Sequence, residues 1–150
     1  MYHQKTTQNA ISAMSRLAEL YSDSQACASS HDIAKCRNLS QPLVAKILTE
    51  LSRFGLITGS PGPGGGYRLA RPPKEISLKD IVDLFEREMS DTCPYGPGWC
   101  GHHAPCPLHD SLQKMRESFH QYLKKTTLAV FESSKSKPSP GRESTKRSSR

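Results

Sequence analysis

The chain has 150 residues, 35% of them hydrophobic and 23% charged, with five cysteines and a formal net charge of +7. That length supports one compact domain with its own core. No run of about 18 apolar residues and no apolar N-terminal stretch are present, so neither a membrane span nor a secretory leader is expected. A cytoplasmic location follows, where thiols stay reduced and five cysteines point to metal or redox chemistry rather than a disulfide framework.

In chain order, Ile11, Met14, Ala18 and Tyr21 share a stripe with Ala10 and Leu17 beside it, which predicts an amphipathic first helix over residues 6 to 21. After a small, polar connector, Ser29 and Asp32 form a capping pair for a short helix through Ile33, Ala34 and Cys36. Asn38 stands where a tight turn needs left-handed geometry, and Ser40 is positioned as the next N-cap. The following helix, about 41 to 54, turns Val44, Ile47, Leu48 and Leu51 inward and presents Gln41, Ala45, Lys46, Thr49 and Arg53 on its other face. Pro42 fits the first turn and Gly55 ends the helix.

Leu56, Ile57 and Thr58 then read as a strand, the glycine-rich stretch 59–66 as its turn, and Tyr67, Arg68 and Leu69 as the returning strand. Ser77 and Asp80 cap a further helix over about 78 to 88, striped by Leu78, Ile81, Val82 and Phe85. Residues 90 to 109, SDTCPYGPGWCGHHAPCPLH, are broken by Pro and Gly and nearly lack aliphatic residues. From Asp110 the pattern resumes, with Leu112, Met115, Phe119 and Tyr122 at coiled-coil spacing. The expected fold class is mainly α with a small β-hairpin: a winged helix-turn-helix domain (1–89), a cysteine-rich cluster-binding loop (90–109), a long dimerisation helix (110–132) and a disordered basic tail (133–150). The tail holds six cations against Glu143 alone. It serves either as a salt-sensitive aid to nucleic-acid binding or as a solubilising end.

Helix, tight turn, helix and hairpin is the order of a DNA-reading winged helix, whose second helix enters the major groove. Candidate contacts are Ser40, Gln41, Pro42 and Lys46 at the start of that helix; Gln pairs bidentately with adenine and Lys donates to guanine acceptors. On the wing they are Gly64, Gly65, Gly66, Tyr67 and Arg68, where glycines bring main-chain N–H groups close to phosphates. GPGGGY is not followed by the Lys-Ser or Lys-Thr of a nucleotide phosphate loop.

Cys93, Cys100, Cys106 and His109 follow the pattern C-x6-C-x5-C-x2-H. Three thiolates and an imidazole suit a soft centre, either an iron–sulfur cluster or zinc. The spacing is wider than that of zinc knuckles, which favours iron–sulfur, while unliganded thiols are the plainer alternative. His102 and His103 compete with His109, and Trp99 either shields the centre or anchors the loop. Cys27 and Cys36 read as small buried hydrophobes.

LSQPLVAKILTELSRFGLI, GPGGGYRLA, ISLKDIV and the three-cysteine loop together resemble the Rrf-two family of bacterial regulators over about residues 1 to 131, in order and with few gaps. The resemblance implies a homodimer on a pseudo-palindromic double-stranded operator, and an iron–sulfur cluster on Cys93, Cys100 and Cys106. The C-x-x-H ending at His109 is similar to IscR-like members, where that His completes a two-iron two-sulfur cluster; a four-iron four-sulfur form is the other option. NsrR-like members use an acidic residue near the N-terminus, and Gln8 occupies the matching position, which favours His109. This chain departs from the pattern in three places. The first cysteine gap is one residue longer, Pro61 replaces a frequent wing Arg, and Ala45 replaces a Glu, so a different operator is expected. The implied function is a transcription regulator sensing redox state, nitric oxide or iron status. The alternative is the same fold with a zinc-bound or thiol-oxidation-sensing loop. An enzyme is not expected, because neither C-x-x-C nor a pocket-forming set of Cys, His and acid is evident.

Overall fold

The structure, a computed structural model, describes residues 3–86 and 106–136. Helix α1 (Lys5–Leu20) is the central element and packs against α2 (Ser30–Arg37), α3 (Gln41–Arg53), α4 (Leu78–Phe85), the second hairpin strand and the C-terminal 3-10 helix. Its buried face is Ala10, Ala13, Met14, Leu17 and Ala18. The predicted stripe was rotated slightly: Ile11 is half-buried and Tyr21 is exposed, because alanines rather than larger residues meet the crowded neighbours.

Local signals set the helix ends. Ser29 and Asp32 form a complete capping box: the Asp32 amide donates to Ser29 Oγ at 3.1 Å, and the Ser29 amide donates to Asp32 Oδ2 at 3.0 Å. Hydrogen bonds from the Ser29 hydroxyl and backbone hold the Asp32 carboxyl below its ordinary range. Asn38, at φ +53, ends α2 in the left-handed conformation, with Leu39 N–H returning to the Ala34 carbonyl at 2.8 Å. Helix α3 ends likewise. Gly55, at φ +72, donates to Ser52, and Leu56 donates to the Leu51 carbonyl at 3.1 Å.

Strands β1 (Ile57–Ser60) and β2 (Gly66–Leu69) pair antiparallel, Ile57 opposite Leu69 and Ser60 opposite Gly66. Beyond the sequence reading, Ala28 bridges the outer edge of β2, exchanging both main-chain hydrogen bonds with Tyr67 at 3.1 and 2.8 Å. Helix α4 opens with the predicted Ser77–Asp80 capping box and buries Leu78, Ile81 and Val82. It ends at Phe85, three residues short of the expected end, and Glu86 leaves helical geometry at φ −115, ψ 73.

Helix α5 (His109–Lys125) is shorter than the expected dimerisation helix. At Thr126 the chain turns back. Leu78 N–H donates to the Thr126 carbonyl at 2.8 Å and Leu128 N–H to the Ile76 carbonyl at 2.9 Å. The 3-10 helix Leu128–Ser136 then lies along α1, with Leu128 fully buried. It extends past Ser133 into the stretch expected to be disordered. Two backbone bonds to the start of α4 provide what the sequence pattern could not show: a reason for the helix to stop.

Helices α1 and α2 are also joined by polar contacts. Arg37 donates to Glu19 Oε1 at 2.6 Å, to Ser15 Oγ at 2.9 Å and to the Ser12 carbonyl at 3.2 Å, while Arg16 donates to Glu19 Oε2 at 3.0 Å. Burial tends to raise the Glu19 pKa, but the hydrogen bonds from Arg37 and then Arg16, with their charges, bring it below the ordinary value. A depressed folded-state pKa means that the ionised carboxylate stabilises the fold above the ordinary carboxylate range and that this contribution is lost as pH falls through the folded value. Arg37→Ala should therefore weaken the decline in stability on acidification, measured by urea unfolding across a pH series. An unchanged decline would exclude this network as its source. Gly66 leaves no room for a side chain, since a Cβ there would lie 2.7 Å from the Ala28 carbonyl carbon. Gly66→Ala should cost about 1–3 kcal/mol of stability, read as a shift in the unfolding midpoint.

Candidate functional site

Helix α3 crosses α2 after the Asn38 turn, and its inward face of Val44, Ile47, Leu48 and Leu51 is sealed in the core. Its outer face exposes Ser40, Gln41, Pro42, Lys46 and Thr49, and Ala45 is half-buried. Thr49 Oγ1 is turned onto its own helix, donating to the Ala45 carbonyl at 2.9 Å. Ser40 occupies the N-cap position in extended geometry, but its hydroxyl makes no capping bond. Pro42, at the second helical position, has no N–H to give, which removes one of the two donors a capping side chain would engage. Among the described residues, the side chains of Ser40, Gln41 and Lys46 make no hydrogen bond or ion pair, so three polar groups stand unengaged at one end of α3.

The wing has a defined internal structure. Gly65 N–H donates to the Gly62 carbonyl at 3.0 Å, and a Cβ on Gly65 would come within 2.2 Å of the Ser60 carbonyl oxygen. Gly66 sits against the Ala28 backbone. These glycines are thus required by the hairpin's own packing, before any question of approach to phosphate. The thiol of Cys27 donates to the Gly64 carbonyl at 3.2 Å, fastening the connector to the wing tip. Half-buried Tyr67 lies against Gly59, while Arg68 is exposed beside it. Cys27 is only half-buried, and Cys36 is exposed at the end of α2 near the Arg37 guanidinium, so neither is the small buried hydrophobe expected.

Of the predicted metal donors, Cys106 and His109 lie at the start of α5. Cys106 is buried, at 8% exposure, and His109 is exposed; the His109 amide donates to the Cys106 carbonyl at 2.9 Å, closing the turn between them. Cys93 and Cys100, with Trp99, His102 and His103, lie outside the described residues. Within the described residues no three Cys, His, Asp or Glu side chains converge. The turn joins the backbones of a buried cysteine and an exposed histidine, two residue types found in the donor sets of iron–sulfur and zinc centres.

One polar cluster had no signature in the sequence. Glu86 Oε1 accepts from the Gln4 amide at 2.9 Å and is paired with His3 Nδ1 at 3.2 Å. The His3 ring lies on Phe119 of α5, ring centroids 5.4 Å apart. Gln8, the residue at the NsrR-type ligand position, donates to the His3 carbonyl at 2.9 Å. Contacts between residues over eighty positions apart leave no local pattern to read.

A family model for iron-dependent transcriptional regulators of the Rrf2 type matches residues 3–132. An HTH-type transcriptional regulator of Aquifex aeolicus is 32% identical over 100 residues, 65% of this chain and 69% of its own length. IscR of Cereibacter sphaeroides is 34% identical over 59 residues, 39% of this chain and 38% of its own. Among solved structures, the global cysteine regulator CymR of B. subtilis superposes with a TM-score of 0.74 at 23% identity, covering 89% of this chain and 97% of that one. T. potens IscR gives 0.70 at 23% identity, covering 94% of each. No helix among the described residues is long and apolar enough to cross a membrane. The helices, the hairpin and a family match over residues 3–132 agree: the chain belongs to the Rrf2 family of helix-turn-helix regulators, proteins that bind DNA and are not enzymes.

Proposed function

We propose that this regulator binds a pseudo-palindromic operator as a homodimer and senses redox, nitric oxide or iron status through an iron–sulfur cluster held by Cys93, Cys100, Cys106 and His109. The observation that carries the reading is the turn joining buried Cys106 to His109 at the first residue of α5. It ties two candidate ligands to the element that faces a second subunit. When bound, a two-iron two-sulfur cluster, or a four-iron one, supplies a centre whose oxidation state and integrity follow the cell's chemistry. Cys106 would contribute a sulfur shielded from solvent, and His109 an imidazole whose backbone is fixed by the helix start. Because residues 90–109 are nearly devoid of aliphatic side chains, ligation rather than apolar burial supplies their folding energy.

The dimer is supported by apolar side chains left on α5. Met115 and Tyr122, two turns apart, are 50% and 55% exposed, and Leu108, another seven residues earlier, is 51% exposed. With half-buried Leu112 and Phe119 between them, they form a 4-3 seam of the kind that pairs helices. In this reading each protomer presents Ser40, Gln41, Pro42 and Lys46 to base edges, and Gly64, Gly65, Gly66, Tyr67 and Arg68 to the backbone of the same half-site. The alternative reading keeps the same fold with a zinc-bound or thiol-oxidation-sensing loop at the same residues.

Anaerobically purified protein should show visible charge-transfer bands, and Cys106→Ala should abolish them while Cys36→Ala leaves them intact. Full absorbance in Cys106→Ala would overturn the ligand assignment. A colourless protein with stoichiometric zinc would move the loop to the alternative centre. For DNA, Lys46→Ala should cost about 1–3 kcal/mol of operator affinity and relax preference at one position. Equal loss on every sequence, measured at one salt concentration, would assign Lys46 to phosphate instead.

A further inference from the structure

We propose that Glu86 and His3 are positioning residues that carry the state of the cysteine loop into α1 and α5. The inference rests on the sensing role proposed for that loop, and the observations behind it are separate. Helix α1 has no cap of its own: Gln4 makes no side-chain capping bond and the first turn holds no acidic residue. An uncapped helix start leaves N–H donors and a partial positive charge unmet. Glu86 places a carboxylate at this helix start from more than eighty residues away, accepting the amide of the N-cap residue Gln4 at 2.9 Å.

Glu86 follows α4 directly and is the last described residue before the stretch of sequence that carries Cys93 and Cys100, so it is the covalent link between α4 and that stretch. The Glu86 side chain is 10% exposed and that of His3 17%, which makes the pair a shielded contact rather than a solvated surface pair. On the other side, His3 reaches α5. Its ring lies 5.4 Å from that of Phe119, which in turn stacks on Tyr122 at 6.3 Å, a member of the exposed seam. Gln8 holds the His3 carbonyl from one turn further along α1. The N-terminal residues thus join three things: the residue that leads into the loop, the central helix of the DNA-reading domain, and the helix proposed to face the partner subunit. Release of Glu86 would leave the α1 start uncapped and let His3 move off Phe119, changing the seating of α5 on the winged domain.

The test compares full-length protein purified anaerobically with the same protein after chelator treatment, by hydrogen exchange and by operator binding. In the wild type, removal of the centre should speed exchange at Gln4 and through the first turn to Gln8 by at least about fivefold, the lower end of ordinary coupling. Glu86→Ala should show fast exchange there in both forms. It should keep the visible bands and bring the ratio of loaded to stripped operator affinities close to one. Glu86→Gln, which retains an acceptor for the Gln4 amide, should restore part of the protection. Equal protection of residues 4–8 in loaded and stripped wild type would overturn the proposal, as would a full affinity ratio in Glu86→Ala. Loss of the visible bands in Glu86→Ala would overturn it too, by placing Glu86 within the centre itself. If protection changes while loaded and stripped wild type bind the operator equally, the sensing role fails and the positioning role stands.

Discussion

Because α1 touches three helices, a strand and the C-terminal 3-10 helix at once, its side chains must be small where neighbours crowd and large where they leave room. Ala10, Ala13 and Ala18 let partners approach closely, and Met14 and Leu17 fill the spaces between them. The other elements take their positions from this helix. The Arg37–Glu19 pair sets α2 against it, and the Ala28 bridge brings the hairpin back to the same layer. Leu128 and the chain after it close the opposite side. The winged unit is therefore mounted on α1 as one body, and a displacement of α1 displaces both α3 and the wing.

This arrangement bears on how a signal from the far end of the chain could be felt at the DNA. Helices α4 and α5 are joined through Leu78, Thr126, Ile76 and Leu128, so the loop that separates them in sequence connects two elements already fixed at their other ends. Glu86 ends α4 on one side of residues 87–105, and the Cys106–His109 turn opens α5 on the other.

The parts of the fold that were legible in the sequence were those whose causes lie within four or five residues. Ser29 with Asp32, Ser77 with Asp80, the left-handed Asn38 and the terminal Gly55 each act on the backbone next to them, and each was read correctly. What was not legible depends on distant partners. Nothing near Lys125 indicates that α5 must stop; the cause is the Ile76–Leu78 edge waiting to receive the chain. The role of Ala28 needs Tyr67, and that of Glu86 needs Gln4 and His3. The polar face of α3 could be read from periodicity. The missing cap at Ser40 could not, because it follows from the interplay of Pro42 with geometry. Cys106 and His109 were picked out by chemistry, but the burial of one and the exposure of the other came from packing.

The two surfaces offered by the winged unit differ in how freely they can vary. Gly65 and Gly66 of the wing are boxed in by the backbone of Ser60, Pro61, Gly62 and Ala28, so nearly any replacement at these two positions must first be accommodated by the hairpin itself. The start of α3 has no such obligation: Ser40 caps nothing, and Gln41 and Lys46 support no neighbour among the described residues. Mutation at these positions is close to neutral for folding, so a lineage can explore new side chains there without losing the scaffold. Duplicated copies of such a gene can therefore diverge at one end of a single helix while keeping an unchanged wing.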